Sequence, residues 1–506
     1  MGTVSPLDGI ELNAVDWVET PQSVQELVLR LLAENRELKT RLSWLEEQTK
    51  QNSQNSSRPP SGDGFGKKKP EAIAGEKRKR GGQKGHPGHE RYLYDESACS
   101  AIHDVFPPVC KVCGAELRGV DEHPYRHQQV DIVPIKPQII EHRLHELVCQ
   151  GCLKKTRASL PANIAASSYG ERLTAFIAWL RRERSAERFS SDYRQSHGQL
   201  QQLLSRLFGI KISCASISGL RHEMSDALSS VVCGAHAYEQ SQAHVHSDET
   251  SFPQGNSDGQ NPGQTKGWLW VLVTDRVTVF EIALSRGQVM AKQMIGATYS
   301  GIVISDRYSS YGWLSVEQRQ LCWAHLKRDF TAMAERGGVS QTIGAALLKR
   351  QKRLFRWWHQ VRDGTMSREP FQNAVAALRI GFKAQLESAA DLPIQPNEKS
   401  PLAKTVRTCQ QILKLEAALW TFVEHPNMEP TNNAAEQALR PAVIWRRTSF
   451  GSQSAAGSQF VARMLSVVTS LKAQNRDVWD FLALVCQAAR FNRPMPSLIP
   501  LKPLTP

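Results

Sequence analysis

Three acidic residues in this chain stand where short patterned segments end: Asp248, Asp306 and Glu436. Asp306 closes Gly301–Ser305, an apolar run rich in β-branched residues that reads as a buried strand. A carboxylate at the carboxyl edge of a central strand has no apolar role. Burying it is costly unless it is paired or holds a metal. One reading is a helix N-cap aspartate, since Arg307–Tyr311 look like a turn into a helix. The other reading needs partner carboxylates, and two are available. Upstream, Gln242–Ser247 (QAHVHS) alternates polar and apolar and then delivers Asp248 and Glu249. Downstream, Pro430–Arg440 (PTNNAAEQALR) offers cap-type residues at Thr431–Asn433 and puts Glu436 one turn inside the helix that follows. Acids on strand, strand and helix are the layout of a two-metal phosphoryl-transfer site. Such a site holds two Mg²⁺ (or Mn²⁺) ions roughly 3.5–4 Å apart on shared oxygen ligands.

Two further groups could do chemistry. Gln320–Phe330 (QLCWAHLKRDF) reads as a short strand entering a helix, with Cys322 and His325 spaced C-x-x-H. Nearer the N-terminus, Cys110-Lys-Val-Cys113 and Cys149-Gln-Gly-Cys152 are two C-x-x-C knuckles separated by 35 residues. Their spacing predicts a closed Cys₄ site for a structural Zn²⁺ ion, and Gly114 suits the turn of the first knuckle. Redox dithiols are the alternative. His103, His123, His127, His142 and His145 lie nearby as surface residues, or as a substitute ligand for one cysteine.

Composition bounds the partners. The 506 residues suffice for several domains, and 41% hydrophobic content suffices for a core. Lys plus Arg total 63 against 49 acids, a net charge of +14, which favours a polyanionic partner over a merely solubilising surface. The strongest apolar run, Trp268–Val273, falls far short of the ~20 residues that span a bilayer. With no signal-peptide pattern, the expected compartment is the cytoplasm, and the ten cysteines are expected as thiols or metal ligands.

The elements that position these residues follow in order. Residues 22–50 carry Val24, Leu31, Leu38 and Leu45 every seven residues, with Val28, Asn35 and Leu42 at the other seam position. This predicts a leucine-zipper-like coiled coil, with Asn35 favouring a parallel homodimer. Residues 51–92 read as a disordered basic linker. Its Lys67, Lys68, Lys69, Lys77, Arg78, Lys79, Arg80 and Lys84 are candidates for sequence-independent DNA phosphate contacts. Residues 93–165 form the zinc-binding region, and Tyr125–Val148 alternates enough to be its strands. Residues 168–240 are helical, and the break at Gly209 hints at a helix-turn-helix as readily as at ordinary packing. Residues 241–336 and 426–460 make the acid-bearing core, in which Gly267–Thr274 and Val277–Leu284 form strands around a turn and the Asp306 strand returns beside the Asp248 strand. Glu249 and Asp329 are decoy acids there, Asp329 on an exposed helix. Residues 337–425 read as an all-helical insertion. Trp357 and Trp358 within it are core residues or base-stacking platforms. Phe450–Gly457 is a small-residue loop, 461–493 is helical, and 494–506 is a proline-rich, disordered tail.

Taken together, SDET at Ser247–Thr250, ISDRYSSY, LCWAHLKRDF and PTNNAAEQALRP resemble the insertion-sequence-66 family of bacterial transposases. The resemblance runs from about Gln22 to about Phe491. It implies a multidomain α+β protein: N-terminal coiled coil, zinc ribbon, α/β ribonuclease-H-like DDE core with an all-α insertion, and a helical C-terminal segment. It implies that Asp248, Asp306 and Glu436 are a catalytic triad, and that the zinc module binds DNA. The substrate is then double-stranded DNA, cleaved and transferred at the element's terminal inverted repeats, with accessory proteins of the same element as further partners. Cys322 and His325 match the family's C-x-x-H signature. Arg440, Arg446 and Arg447 are candidate phosphate contacts, although an arginine–lysine pair is expected where Arg446–Arg447 stand. Two other classes share parts of this pattern: a different ribonuclease-H-like nuclease, and a non-catalytic zinc-containing DNA-binding regulator.

Overall fold

The computed structural model describes residues 17, 19–50, 56–57, 93–132, 135–180 and 196–500. The candidate phosphate contacts from Lys67 to Lys84 and the last six residues lie outside them. The chain divides into two compact units. One comprises residues 1–65, 143–197 and 214–506, and the other residues 66–142 and 198–213. The described residues contain thirteen α-helices and a mixed five-stranded sheet, an α+β architecture.

The sheet lies in the larger unit. Its strands are β3 (His244–Ser251), β4 (Trp268–Val273), β5 (Thr278–Ala283), β6 (Ile302–Ser305) and β7 (Arg319–Leu321), numbered after the hairpin β1–β2 described below. The order is β5-β4-β3-β6-β7, antiparallel through β3, β4 and β5 and parallel through β3, β6 and β7. Both faces of β4 are covered, which is why it is apolar throughout. Leu269, Val271 and Val273 pack against α11 (Asn433–Ser449) and α12 (Ala455–Ala473). Trp270 and Leu272 pack against α5 (Gln288–Ile295) on the other side.

The edge strand β5 does not expose its outer amides at Thr278 and Phe280. Ser470 Oγ accepts from Thr278 N at 2.9 Å, and Ser466 Oγ accepts from Phe280 N at 2.8 Å. Serines one turn apart on α12 thus satisfy alternate residues of an edge that is otherwise open to strand addition. The helix itself begins at Ala455, inside the stretch expected to be loop. The turn before it needs its glycine, because Gly451 has φ +95° and a Cβ there would lie 2.0 Å from Pro253 O.

Between β7 and α11 the chain is helical: α6 (Trp323–Glu335), α7 (Gly338–Arg362), α8 (Arg368–Ala390), α9 (Pro401–Leu413) and the short α10 (Thr421–Glu424). The insertion is tied to β7 from below. Phe422 N donates to Gln320 Oε1 at 2.8 Å, and Trp323 Nε1 donates to Leu419 O at 2.8 Å. Trp323, Phe382 and Trp420 meet edge-on or tilted at 5.2–5.7 Å. Trp358 contacts Phe371 and Phe422, and Trp357 packs against the same cluster, so both tryptophans serve the core.

Four helices build the larger unit's second core. α4 (Cys214–Glu239) buries Met224, Leu228 and Val231 against α2 (Glu171–Trp179), α12 and α13 (Val478–Arg490). The tail is ordered through residue 500, contrary to expectation. Leu498 is buried in this cluster, and its carbonyl accepts from Gln474 Nε2 at 2.7 Å. Proline restricts the chain but does not prevent an apolar side chain from docking. The first helix, α1 (Gln22–Lys50), is 29 residues long and keeps Leu31, Leu38, Leu42 and Leu45 exposed. α3 (His197–Phe208) ends at Gly209, whose φ is +66°.

Cys110 N donates to Ala115 O, and Gly114 N donates back to Cys110 O. Cys149 N donates to Lys154 O, and Leu153 N donates back to Cys149 O. Gly114 and Leu153 both take positive φ, +75° and +57°. The second knuckle closes the two-stranded hairpin of β1 (Glu146–Val148) and β2 (Lys155–Arg157). The longer strands expected over Tyr125–Val148 reduce to β1. Tyr125, Ile132, Ile139 and Ile140 are exposed, so no buried face imposes a register on that stretch.

Glu239, at the end of α4, is fully buried, and neither carboxylate oxygen has a hydrogen-bond partner. Burial pushes its carboxyl well above the usual range, with partial relief from the Val279 backbone. A raised acid takes up its proton more readily in the folded state. Its penalty is absent below the unfolded value near pH 4.3 and grows as pH rises above that. Glu239→Leu should therefore raise the unfolding free energy more at pH 8 than at pH 5, by about 1–3 kcal/mol at the higher pH, read from denaturant melts. Equal shifts at both pH values would refute this account.

Candidate active site

The register of the parallel pair brings two acids together. His244, Val245 and His246 of β3 pair with Ile302, Val303 and Ile304 of β6. Carried two residues on, the same register sets Asp248 beside Asp306, just past the end of β6. Asp306 Oδ1 accepts from Tyr308 N at 2.8 Å, as a capping residue would. No α-helix follows, because Ser309–Tyr311 is one 3₁₀ turn.

Glu436 is brought in by a clamp at the start of α11. Asn432, the N-cap residue, is fully buried and bonds β3 and Cys322, the residue that follows β7, at once. Its Nδ2 donates to Ser247 O at 2.8 Å, its Oδ1 accepts from His246 Nδ1 at 3.0 Å, and its backbone N–H donates to Cys322 Sγ at 3.1 Å. Burial holds His246 near pKa 4, so the imidazole is neutral. Cys322 is in turn the N-cap of α6, and Trp323 N donates to Pro430 O at 3.0 Å. Two helix N-termini, carrying His325 and Glu436 in their first turns, are therefore fastened to each other, to the middle of β3 and to the carboxyl end of β7.

The electrostatics match a cation site. Burial raises the Asp248 carboxyl well above its usual range, and the neighbouring charges of Glu249, Asp306 and Glu436 raise it further. Glu436 Oε1 is buried without a hydrogen-bond partner, and Arg328 Nη2 stands 3.7 Å away. Crowded carboxylates with an unpaired oxygen fit divalent cations, which neutralise several acids at once. Asp248, Asp306 and Glu436 do not all close within 4.8 Å of one another. The group that does, among the described residues, is Cys322, His325 and Glu436.

Strand alternation separates Glu249 from this set. It points to the opposite face of β3, where it accepts from Tyr311 Oη at 2.7 Å and Arg286 Nε at 2.9 Å. Arg286 lies 3.6 Å from the Tyr308 ring centroid and 4.7 Å from that of Trp268. Asp329 is half-buried rather than on an open helix face, because Arg307 pairs with it across from α6. Of the candidate phosphate contacts, Arg440 is exposed. The Arg446 guanidinium is occupied by Thr250 Oγ1 and Ser251 Oγ at 2.9 and 2.8 Å, which makes it a strap between α11 and the end of β3. Arg447, half-buried, follows it on α11. Asn432 was legible only as one of the cap-type residues Thr431–Asn433, and Arg328 and Arg286 were not singled out from the sequence. The Asn432–Asn433 pair before Glu436 was the available signal for the first, whereas nothing local marks the two arginines.

In the knuckles, backbone amides face the sulfurs. The N–H groups of Cys113 and Val112 lower the Cys110 thiol, and those of Cys152 and Gly151 lower the Cys149 thiol. All ten cysteines are free of disulfides. No helix among the described residues is long and apolar enough to cross a membrane.

Comparison with known proteins gives matches along most of the chain. The model of the transposase IS66 family matches residues 168–460, and that of a family of unknown function matches residues 12–92. The chain is similar to the uncharacterized protein y4qI of Sinorhizobium fredii, at 25% identity over 81% of this chain and 75% of the relative. It is also similar to the uncharacterized proteins y4hP and y4jD of the same organism. Each is 23% identical, over 74% and 50% of this chain and 70% and 51% of the relatives.

Proposed function

This chain belongs to the IS66 family of transposases, whose partner is DNA, and on that premise we propose that it cuts and joins DNA strands at Asp248, Asp306 and Glu436. The observation that carries this reading is the β3–β6 register, which seats Asp248 beside Asp306 under the Asn432 clamp. The sheet order, with Asp248 inside the central strand β3 and Asp306 just after β6, supports a ribonuclease-H-like core of DDE type. Asp248 and Asp306 would hold two Mg²⁺ ions between them, and Glu436 would complete the shell of one. When bound, such ions supply activation of the attacking oxygen, first of water and then of a DNA 3′-hydroxyl, and stabilisation of the leaving oxygen. The chain's residues position and neutralise. Asn432 fixes the approach of Glu436, and Arg446 fastens α11 to β3. His325, kept neutral by burial and by Arg328, stands beside Glu436 where the scissile phosphate must come.

Amide substitution keeps shape and removes charge, which a hard cation does not tolerate. Asp248→Asn, Asp306→Asn and Glu436→Gln should each reduce Mg²⁺-dependent nicking and strand transfer on an element-end duplex by at least about 10³-fold. DNA affinity at fixed salt should stay within a few-fold, and Asp329→Asn should stay within about tenfold of the parent's activity. Millimolar Mg²⁺ should raise the thermal midpoint of the parent and not of Asp306→Asn. Normal cutting by Glu436→Gln beside a dead Asp329→Asn would move the third ligand to Asp329.

The two knuckles support structural zinc on Cys110, Cys113, Cys149 and Cys152, in a module that contacts DNA. They share one hydrogen-bond pattern and aim amides at the sulfurs, as thiolate ligands require. Metal analysis should find about one zinc per chain that a Cys110→Ser/Cys149→Ser variant loses. Retention of that zinc would refute the assignment.

The exposed leucine seam of α1 supports a parallel homodimer, because only a second copy presents the same heptads with Asn35 opposite Asn35. Light scattering should give a dimer for the full chain and a monomer after deletion of residues 22–50. An unchanged mass would place the contacts elsewhere.

A further inference from the structure

A second kind of metal site lies beside the acids. We propose that Cys322, His325 and Glu436 bind a soft divalent cation of the zinc class and that this cation inhibits the enzyme by taking Glu436. Their ligand atoms lie within 4.8 Å of one another, and His325 Nδ1 stands 3.6 Å from Glu436 Oε1. Both of those atoms are buried and lack a hydrogen-bond partner, which is costly for groups that a metal would satisfy. Tetrahedral zinc, with bonds of roughly 2.0–2.3 Å, brings its ligands to about 3.3–3.7 Å apart. Small rotations therefore close the set.

The scaffold is already fixed. Cys322 caps α6, His325 follows one turn later, and the Trp323–Pro430 bond holds α6 to the segment that leads to Glu436. The Asn432 amide donates to Cys322 Sγ, the contact that stabilises a thiolate once metal displaces its proton to solvent. Sulfur, imidazole nitrogen and a single carboxylate select zinc-class ions over Mg²⁺, which takes oxygen ligands. Three protein ligands leave a fourth position open. The charges facing His325 are mixed: Asp306, Glu436 and Asp329 favour a cation, and Arg328 opposes it. Arg328 pairs with Glu436 Oε1 at 3.7 Å and would be displaced.

The inhibitory half of the proposal rests on Glu436 also serving Mg²⁺. A Glu436 carboxylate bound to a zinc-class ion donates less to Mg²⁺, and a further divalent cation that close is repelled, so the two metals compete.

The test titrates Co²⁺ into the full-length protein, following the thiolate-to-cobalt charge-transfer band. The parent should bind one equivalent more than Cys322→Ser, and His325→Gln and Glu436→Gln should weaken that equivalent by about tenfold or more. His325→Gln, at a half-exposed position, decides the matter if Cys322→Ser does not fold. In the cleavage assay, Zn²⁺ should inhibit. Raising Mg²⁺ tenfold should raise the inhibitory Zn²⁺ concentration, as should His325→Gln. Equal cobalt affinity for that equivalent in the parent and His325→Gln would overturn the site and leave the Mg²⁺ reading standing. Loss of the equivalent in Glu436→Gln with cleavage intact would sink the Mg²⁺ role of Glu436 and the competition, and leave the soft-metal site. Inhibition unaffected by Mg²⁺ would overturn the competition alone.

Discussion

The constraint that the rest of this structure serves is mutual repulsion among carboxylates held at one edge of a sheet. Asp248 sits near Asp306 and Glu436 in a partly buried setting that disfavours its charged form. Left to itself, such a cluster would spread apart or take up protons. Backbone pairing prevents the first outcome. The β3–β6 ladder fixes two of the acids, and the buried Asn432 fixes the third by bonding β3 and the β7–α6 junction together. The fold spends hydrogen bonds to keep like charges close.

This explains why the helical insertion sits where it does. It separates the second and third acids by more than a hundred residues, so a mobile insertion would leave α11 poorly anchored. Instead Gln320, Trp323 and the aromatic cluster of Phe382 and Trp420 lock it beneath β7. α11 then enters from a rigid platform. Ser466 and Ser470 do comparable service at the far edge, where they close β5 against strand addition.

The same clamp joins two chemistries. By placing Cys322 and His325 within a few ångströms of Glu436, it sets a soft-ligand pair beside a hard-ligand set.

Much of this was readable in the sequence, for definite reasons. β4 announces itself because a strand covered on both faces must be apolar throughout, and Asp306 because charge at the end of such a run has no packing role. The family motifs carry the acids in order. Both C-x-x-C knuckles have the turn that their spacing implies, since a tight turn is a local property. What the sequence could not supply is whatever depends on side chains from distant segments meeting. The separation of Glu249 from Asp248 follows from strand alternation, but its Tyr311–Arg286 partners come from two other segments. Arg446 reads as a free charge and is a strap. Leu498 reads as part of a loose tail and is core. The strands expected over Tyr125–Val148 failed because alternation specifies a strand only when one face has something to pack against, and that is decided by tertiary structure alone.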